Sequence, residues 1–374
     1  MYDLIIAGAG PAGSAAARSA AKMGLDALIL EKEAFPRYKP CGGALSDKAV
    51  SLLDFRLPEA ISERTITGTR VHFQDRVMER HKGYRLTTMI TRSRFDHFLL
   101  QKAEEAGAGL MTEKVLDCKE LDDHVEVITN HSCHRSRFLV ISSGCQDGLR
   151  RKIQGREQKE DSCICMVTEI EEDDAEIEER LQSSMDIYFG VANMGYGWIF
   201  PHRGYYSVGI GGLASLLEHP RQTMKEFLKK SGFQGDYRLH GHMIPLAGES
   251  KKVASGRILL AGDAAGFVDA FTGEGIYYAL RSGQIAALTI AEQPAGNVAA
   301  AYRSGCWKDF GEDLRYARWF SRLMHSRPEI FLRLLTCQEE ILDRYIEIAT
   351  PRRSYKQFMR WLVPRLPFSL LRAL

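Results

Sequence analysis

The segment LIIAGAGPAGSAAA (4–17) admits few folds. Residues 4–7 form a short apolar run of strand type, and 11–23 are Ala-rich and read as a helix. Gly8, Gly10 and Gly13 lie at the turn between them. Gly8 allows the tight turn, Gly10 lets the backbone approach a phosphate, and Gly13 lets helix and strand pack closely. Pro11 and Ala12 open the helix, whose N-terminus offers unpaired N–H groups and a positive dipole end to an anion. A second apolar run, 27–30, ends in Glu31 and Lys32. Glu31 lies about 18 residues past Gly13, near the ~20 expected of an acid that accepts a ribose hydroxyl. Strand, glycines, helix, strand and acid in this order predict a βαβ unit over 1–50 that grips the pyrophosphate of a dinucleotide.

A chain of 374 residues is too long for one ordinary core, so two or three subdomains are expected. Hydrophobic residues at 45% with charged residues at 26% describe a soluble globular protein. The formal charge of +2 implies no nucleic-acid partner. The eight cysteines show no CxxC pair, no disulfide framework and no metal-ligand spacing, which fits a reduced, cytoplasmic protein without a metal site. Cys163 and Cys165 alternate onto one face of a strand and are expected to be ordinary buried thiols. The apolar N-terminus lacks a basic leader and reads as a strand rather than a secretory signal. No run reaches ~18 apolar residues, so no span is expected.

Further along, 90–110 carries Phe95, Phe98, Leu99 and Ala103 at helical spacing, with Gly107 and Gly109 to end the helix. Residues 113–140 alternate in strand fashion, and 163–213 read as several strands broken by glycine. The acidic stretch 169–180 reads as a solvated edge or loop. From 297 onward the pattern is helical.

A second signature names the cofactor. In GRILLAGDAAGFVDAFTGEGI (256–276) a buried strand runs into Gly262-Asp263, and Thr272-Gly273-Glu274-Gly275 opens another helix at Ile276. An aspartate at that strand end can accept hydrogen bonds from sugar-alcohol hydroxyls. The second helix N-terminus can hold negative charge on a reduced isoalloxazine ring. A nicotinamide dinucleotide needs no such second element, whereas FAD does.

GAGPAG (8–13), KPCGGALS (39–46), YGWIFP (196–201) and LLAGDAAGFVDAFTGEGI (259–276) together resemble the FAD-dependent oxidoreductases of the para-hydroxybenzoate hydroxylase fold, and within them the geranylgeranyl reductase family. The resemblance spans roughly 1–290. It implies an α/β chain: a Rossmann-like FAD-binding domain (1–65, 90–160 and 253–296) interleaved with an antiparallel-sheet substrate domain (66–89 and 161–252), plus a C-terminal helical region (297–374). It also implies that the Arg92 guanidinium contacts FAD and that the backbone near Val115 contacts adenine. SSGCQDGLRR departs from the Asp-Gly motif of the hydroxylases, and Asp147 receives no role.

In the resembled family the cysteine matching Cys41 is implicated in double-bond reduction, with Gly42 and Gly43 as the flexible residues behind it. A thiol there can relay the proton that accompanies hydride transfer or gate the ring face. Tyr196, Trp198 and Phe200 alternate, so strand geometry puts the three rings on one face, and with Pro201 they are expected to wall a pocket for a long apolar substrate. The same pattern loosely resembles the Trp-x-Trp-x-Ile-Pro stretch of flavin-dependent halogenases. The tail 351–374 is basic and apolar together. It can lie on an anionic bilayer, at the inner face of a membrane, cap the catalytic domain, or make a dimer contact.

The expected activity is saturation of C=C bonds in a polyprenyl lipid by reduced FAD. The alternatives are an oxygen-using hydroxylase, halogenase or protein-modifying monooxygenase of the same fold, and a flavin-binding carrier. One dinucleotide fingerprint leaves no separate NAD(P)H domain, so NAD(P)H visits the flavin or a ferredoxin-like protein donates electrons.

Overall fold

The first apolar run, β1 (Tyr2–Ala7), becomes the centre of an eight-stranded sheet. The computed structural model describes residues 1–145, 148–155, 162–246, 252–293, 297–326, 328–331 and 338–366; Asp147 lies outside them. After the helix α1 (Pro11–Lys22), β2 (Ala27–Glu31) returns parallel to β1. Cys133–Ile141 flanks β1 on its other side, also parallel, and Gly109–Thr112 and Ile258–Leu260 extend the parallel run outward. Leu4, Ile5 and Ile6 are fully buried. An unbroken apolar strand is what a parallel sheet covered on both faces requires. An antiparallel pair, Val115–Glu120 and Val125–Thr129, extends from Cys133–Ile141.

α1 lies against the helix Ile276–Glu292 at backbone distance. A Cβ at Gly283 would sit 2.2 Å from the Ala12 carbonyl oxygen. The helix Arg92–Glu104 buries Phe95, Leu99 and Ala103, as its spacing predicts, and Gly107 follows at φ +105°.

A second sheet has seven strands in the order His240–Pro245, Ser162–Glu171, Tyr205–Leu213, Tyr196–Pro201, Ser184–Phe189, Gly68–Phe73, Arg76–His81. Its pairings are antiparallel except that Gly68–Phe73 runs parallel to Ser184–Phe189. The Gly68–His81 pair enters from an earlier part of the chain, so no hairpin turn dictates its direction at that junction. A three-stranded sheet (Ala44–Ser46, Thr87–Met89, Arg64–Ile66) carries the chain between the two large ones.

The acidic stretch is solvated, as its charge suggests, but it is not a loop. It finishes the strand Ser162–Glu171 and then forms the helix Asp174–Leu181, which Asp173 caps by accepting from the Ala175 N–H at 2.8 Å. Ile177 and Leu181, one turn apart, are buried beneath it.

The tail is likewise turned inward. Ser354 and Gln357 form a capping box at the start of the helix Tyr355–Leu362. Tyr355, Phe358, Met359, Leu362 and Leu366 are buried in a core shared with the helices Glu312–Ser326 and Glu339–Ile346. The apolar face offered above to a bilayer is therefore spent on the protein's own core as far as Leu366. Phe368, Leu370, Leu371 and Arg372 lie outside the described residues. No helix among the described residues is long and apolar enough to cross a membrane. Phe358 is fully buried, with its ring edge-on to Phe320 at 5.4 Å. Phe358→Ala is expected to cost about 3–5 kcal/mol of stability, read by denaturant titration. An unchanged midpoint would show that this helix does not belong to the cooperative core.

Candidate functional site

A cavity of about 770 Å³ opens where the parallel sheet, the seven-stranded sheet and the C-terminal helices meet. That volume is in the upper part of the ~300–1,000 Å³ range of ligand pockets. Gly8, Gly10, Pro11, Ala12, Glu31, Lys32, Arg92 and Val115 line it. A Cβ at Gly10 would meet nothing nearer than the Arg37 guanidinium at 3.7 Å, so the space in front of it is open for a ligand. α1 starts there without a side-chain cap, leaving its first N–H groups to an anion. Glu31 is more engaged than its spacing predicts. It accepts from the Ala9 N–H at 2.7 Å and the Glu33 N–H at 3.1 Å, and so also pins the glycine loop.

Arg92 reaches the cavity held by a fully buried carboxylate. Its Nε and Nη2 donate to Asp96 at 2.7 and 2.8 Å. Burial works against its charge, and the Asp96 carboxylate more than offsets this, with Cys41 adding to the effect.

Asp263, Gly273, Gly275 and Ile276 also line the wall. Among the described residues no protein group donates to the Asp263 carboxylate, which leaves it open to a ligand hydroxyl. Glu274 between the two glycines is anchored by Lys48 at 2.6 Å and by the Ser46 hydroxyl. The open cradle at Gly10, the uncapped helix and the unpartnered Asp263 fit FAD, with the glycine turn suited to a pyrophosphate and Asp263 to polyol hydroxyls.

Cys41, Gly42 and Gly43 face this cavity from a loop. Gly43 sits at φ +74°, and its N–H donates to the Cys41 sulfur at 3.4 Å. Tyr196, Trp198 and Phe200 line the cavity on one strand face, successive ring centroids 6.1 Å apart. The Tyr196 hydroxyl donates to the Thr272 carbonyl, tying this wall to the 272–275 turn.

Three named residues lie outside the lining. Gly13 packs against the Gly8 carbonyl, and Gly262 against Ala12 and Ala279. Pro201 has the opposite strand parity to Phe200 and points away from the rings. All three serve packing. Conversely, Cys163 and Cys165 border the cavity instead of the plain core expected for them. Burial pushes the Cys163 thiol up to about 12 and Cys165 further still, so neither is a ready thiolate. Alternation had put both on one face; only the sheet's placement shows which face.

Lys39 opens the KPCGGALS stretch but was given no role there, and His242 lies in no motif. Lys39 donates to the His242 Nε2 at 2.7 Å, and no carboxylate lies within hydrogen-bonding reach of Lys39 among the described residues. Burial, then the Lys39 charge, pushes His242 down. Burial alone pushes His325, also on the cavity, down to about 4. An unfolded histidine titrates near 6.5. As pH falls below about 6.5 the unfolded chain takes up protons at these positions while the folded chain does not. Stability present at neutral pH is therefore lost between about 6.5 and 4, on the order of 2 kcal/mol for His325. Denaturant titration at pH 7.5, 6 and 5 checks this, and His325→Gln is expected to flatten the decline. Equal slopes in the two proteins would rule out His325 as its source.

Residues 3–142 match the FAD dependent oxidoreductase family. An uncharacterized protein of Methanosarcina barkeri is 32% identical over 298 residues, covering 77% of this chain and 74% of that one. A menaquinone reductase of Mycobacterium tuberculosis is 29% identical over 76% of this chain and 75% of its own. A geranylgeranyl diphosphate reductase of Rhodobacter capsulatus is 28% identical over 76% and 74%. The crystal structure of a geranylgeranyl bacteriochlorophyll reductase-like protein from Thermoplasma acidophilum superposes with a TM-score of 0.83 at 21% identity, covering 100% of this chain and 99% of that one, which establishes a shared fold.

Proposed function

Because the chain belongs to the geranylgeranyl reductase family of FAD-dependent oxidoreductases, we propose that it saturates C=C bonds in the polyprenyl chain of a lipid or isoprenoid. The observation that carries this reading is that the Cys41 loop and the Tyr196–Trp198–Phe200 face border one cavity, which continues into a chamber lined by Val71, Leu86, Ile187, Phe189, Phe271 and Met324. A long apolar chain suits such a chamber, since burial of CH₂ groups contributes about 0.8 kcal/mol each and needs no polar partner.

When bound and reduced, FAD supplies the hydride equivalent. The chain's own residues supply position, dryness and the proton. The aromatic face holds the alkene and excludes water. Cys41, with its sulfur at the cavity, gives the proton that completes the addition of two hydrogens and recovers one from solvent. Gly8, Gly10, Pro11, Ala12, Glu31, Lys32, Arg92, Val115, Asp263, Gly273, Gly275 and Ile276 are assigned to holding the cofactor.

The test is anaerobic. Dithionite-reduced holoenzyme is mixed with geranylgeranyl lipids and followed at the flavin absorbance band, with products analysed by mass spectrometry. Reoxidation by lipid, with a gain of two hydrogens per double bond, is expected. Reoxidation only on admission of oxygen would replace this reading with an oxygen-using activity of the same fold.

A further inference from the structure

We infer that His202 positions the Cys41 loop, acting as a double hydrogen-bond donor clamped between the Glu63 carboxylate and the Gly42 carbonyl. His202 follows YGWIFP directly and continues the parity of Tyr196, Trp198 and Phe200. It is 1% exposed. Its Nδ1 lies 2.7 Å from Glu63 Oε2 and its Nε2 lies 3.0 Å from the Gly42 carbonyl oxygen. A carbonyl oxygen can only accept, and so can an ionised carboxylate. Burial works against charge on Glu63, but hydrogen bonds from His202 and Thr91 hold its carboxyl below the ordinary range. Both ring nitrogens must therefore donate, which makes the ring an imidazolium with Glu63 as its counter-ion.

The surroundings are built to keep this pair. The Thr91 hydroxyl donates to the other Glu63 oxygen and bonds the Tyr205 hydroxyl at 2.8 Å. The Tyr205 ring stacks on the imidazole at 4.4 Å and 13°. The Arg203 backbone also favours the charged form of Glu63. Arg64 donates through Nε to the His202 carbonyl at 2.9 Å, while its other nitrogens are taken by Asp174 and Glu178 at 2.6 and 2.7 Å. The charged and titratable neighbours are thus Glu63, Arg64 and Tyr205, with Cys41 across the loop.

The clamp acts on Cys41 through two glycines. A Cβ at Gly43 would lie 2.4 Å from the Ile90 carbonyl and 2.5 Å from His202 Cε1, and one at Gly42 would lie 3.0 Å from the Phe200 ring. The Gly43 carbonyl accepts from the Ile90 N–H at 2.9 Å. The loop is wedged on these sides, and the His202–Gly42 bond is its polar tie to the aromatic strand. His202 is not among the residues that line the cavity and acts as a positioning residue. Breaking one side of a buried ion pair leaves the other charge uncompensated, so single substitutions are expected to have large effects.

The inference rests on the role proposed above for Cys41, but its direct readouts do not. The FAD-loaded protein is labelled with ¹⁵N at histidine, and the His202 ring is assigned by difference from His202→Gln. At pH 7 both of its ring nitrogens are expected to carry exchange-protected protons, and Glu63→Gln is expected to remove one of them. In His202→Gln, the rate of Cys41 alkylation by iodoacetamide, read by peptide mass mapping, is expected to change roughly fivefold or more, and kcat to fall roughly tenfold with KM little changed. A wild-type His202 ring with one bare nitrogen would overturn the clamp even if the variants fail to fold. So would unchanged Cys41 alkylation in a folded His202→Gln. If geranylgeranyl lipids fail to reoxidise the enzyme while both readouts hold, the clamp stands and the reductase reading falls.

Discussion

Gly13→Val is expected to yield a protein that neither holds FAD nor melts as the parent does. A Cβ at this position would lie 1.9 Å from the Gly8 carbonyl oxygen and 2.7 Å from the Ser142 hydroxyl. The first is a backbone atom with nowhere to go. Gly8 is held at φ +102°, and its own vacant Cβ position is 2.8 Å from the Ser143 Cα. α1 is pressed from its other side by Gly283. The helix would have to retreat from β1 by an ångström or more, carrying its N–H groups away from the phosphate. A displacement of that size costs on the order of a hundredfold where precise positioning matters. Flavin absorbance per protein, together with the melting temperature of the apoprotein, checks this. Gly10→Ala supplies the contrast. The space in front of Gly10 is open, so the apoprotein is expected to melt normally and yet lose FAD, because that space belongs to the ligand. A normal FAD content in Gly13→Val would refute the close approach, and a lowered apoprotein melting temperature in Gly10→Ala would refute its assignment to the ligand.

The second large effect is on turnover. Cys41→Ser is expected to retain FAD and the oxidised flavin spectrum while kcat falls by roughly a hundredfold or more, the scale of a lost general acid. The hydroxyl keeps the shape of the thiol and removes its acidity. Cys163→Ser and Cys165→Ser border the same cavity and are the internal controls. Burial already holds both thiols against ionisation, so each change is expected to leave turnover within roughly twofold of the parent. Steady-state kinetics with a geranylgeranyl substrate distinguishes the three. Full activity in Cys41→Ser would remove Cys41 from the reaction, and equal losses in all three would reduce Cys41 to one member of a packing cluster.

Much of the cofactor end was legible in the sequence because its instructions are local. Gly8, Gly10 and Gly13 act within one strand–turn–helix unit, and Asp263 through Ile276 within another. Strand parity likewise puts Tyr196, Trp198 and Phe200 together. Where local patterns misled, the missing information was what covers a given face. Charge made 169–180 look like a solvated edge or loop; its acids are solvated, but the stretch is a strand end and a helix that buries Ile177 and Leu181. Composition alone made the tail look fit for a bilayer, although Phe358, Met359 and Leu362 pack against Phe320 and Tyr345 of the same chain. His242 carries no motif at all, and it meets Lys39 only because a loop and a distant strand border one cavity.

The sequence by itself determined the grip on the dinucleotide, the flavin class and the parity of the aromatic strand. A turn, a helix start or an alternation is set by residues within a few positions of one another. Only the tertiary structure decided that the Cys41 loop faces the Tyr196–Phe200 strand, that His202 reaches back across 160 residues to the Gly42 carbonyl, and that the C-terminal helices close the apolar chamber. Hydrophobic periodicity states that a face must be covered. It does not state by what, because burial of apolar surface is non-directional and any complementary face satisfies it.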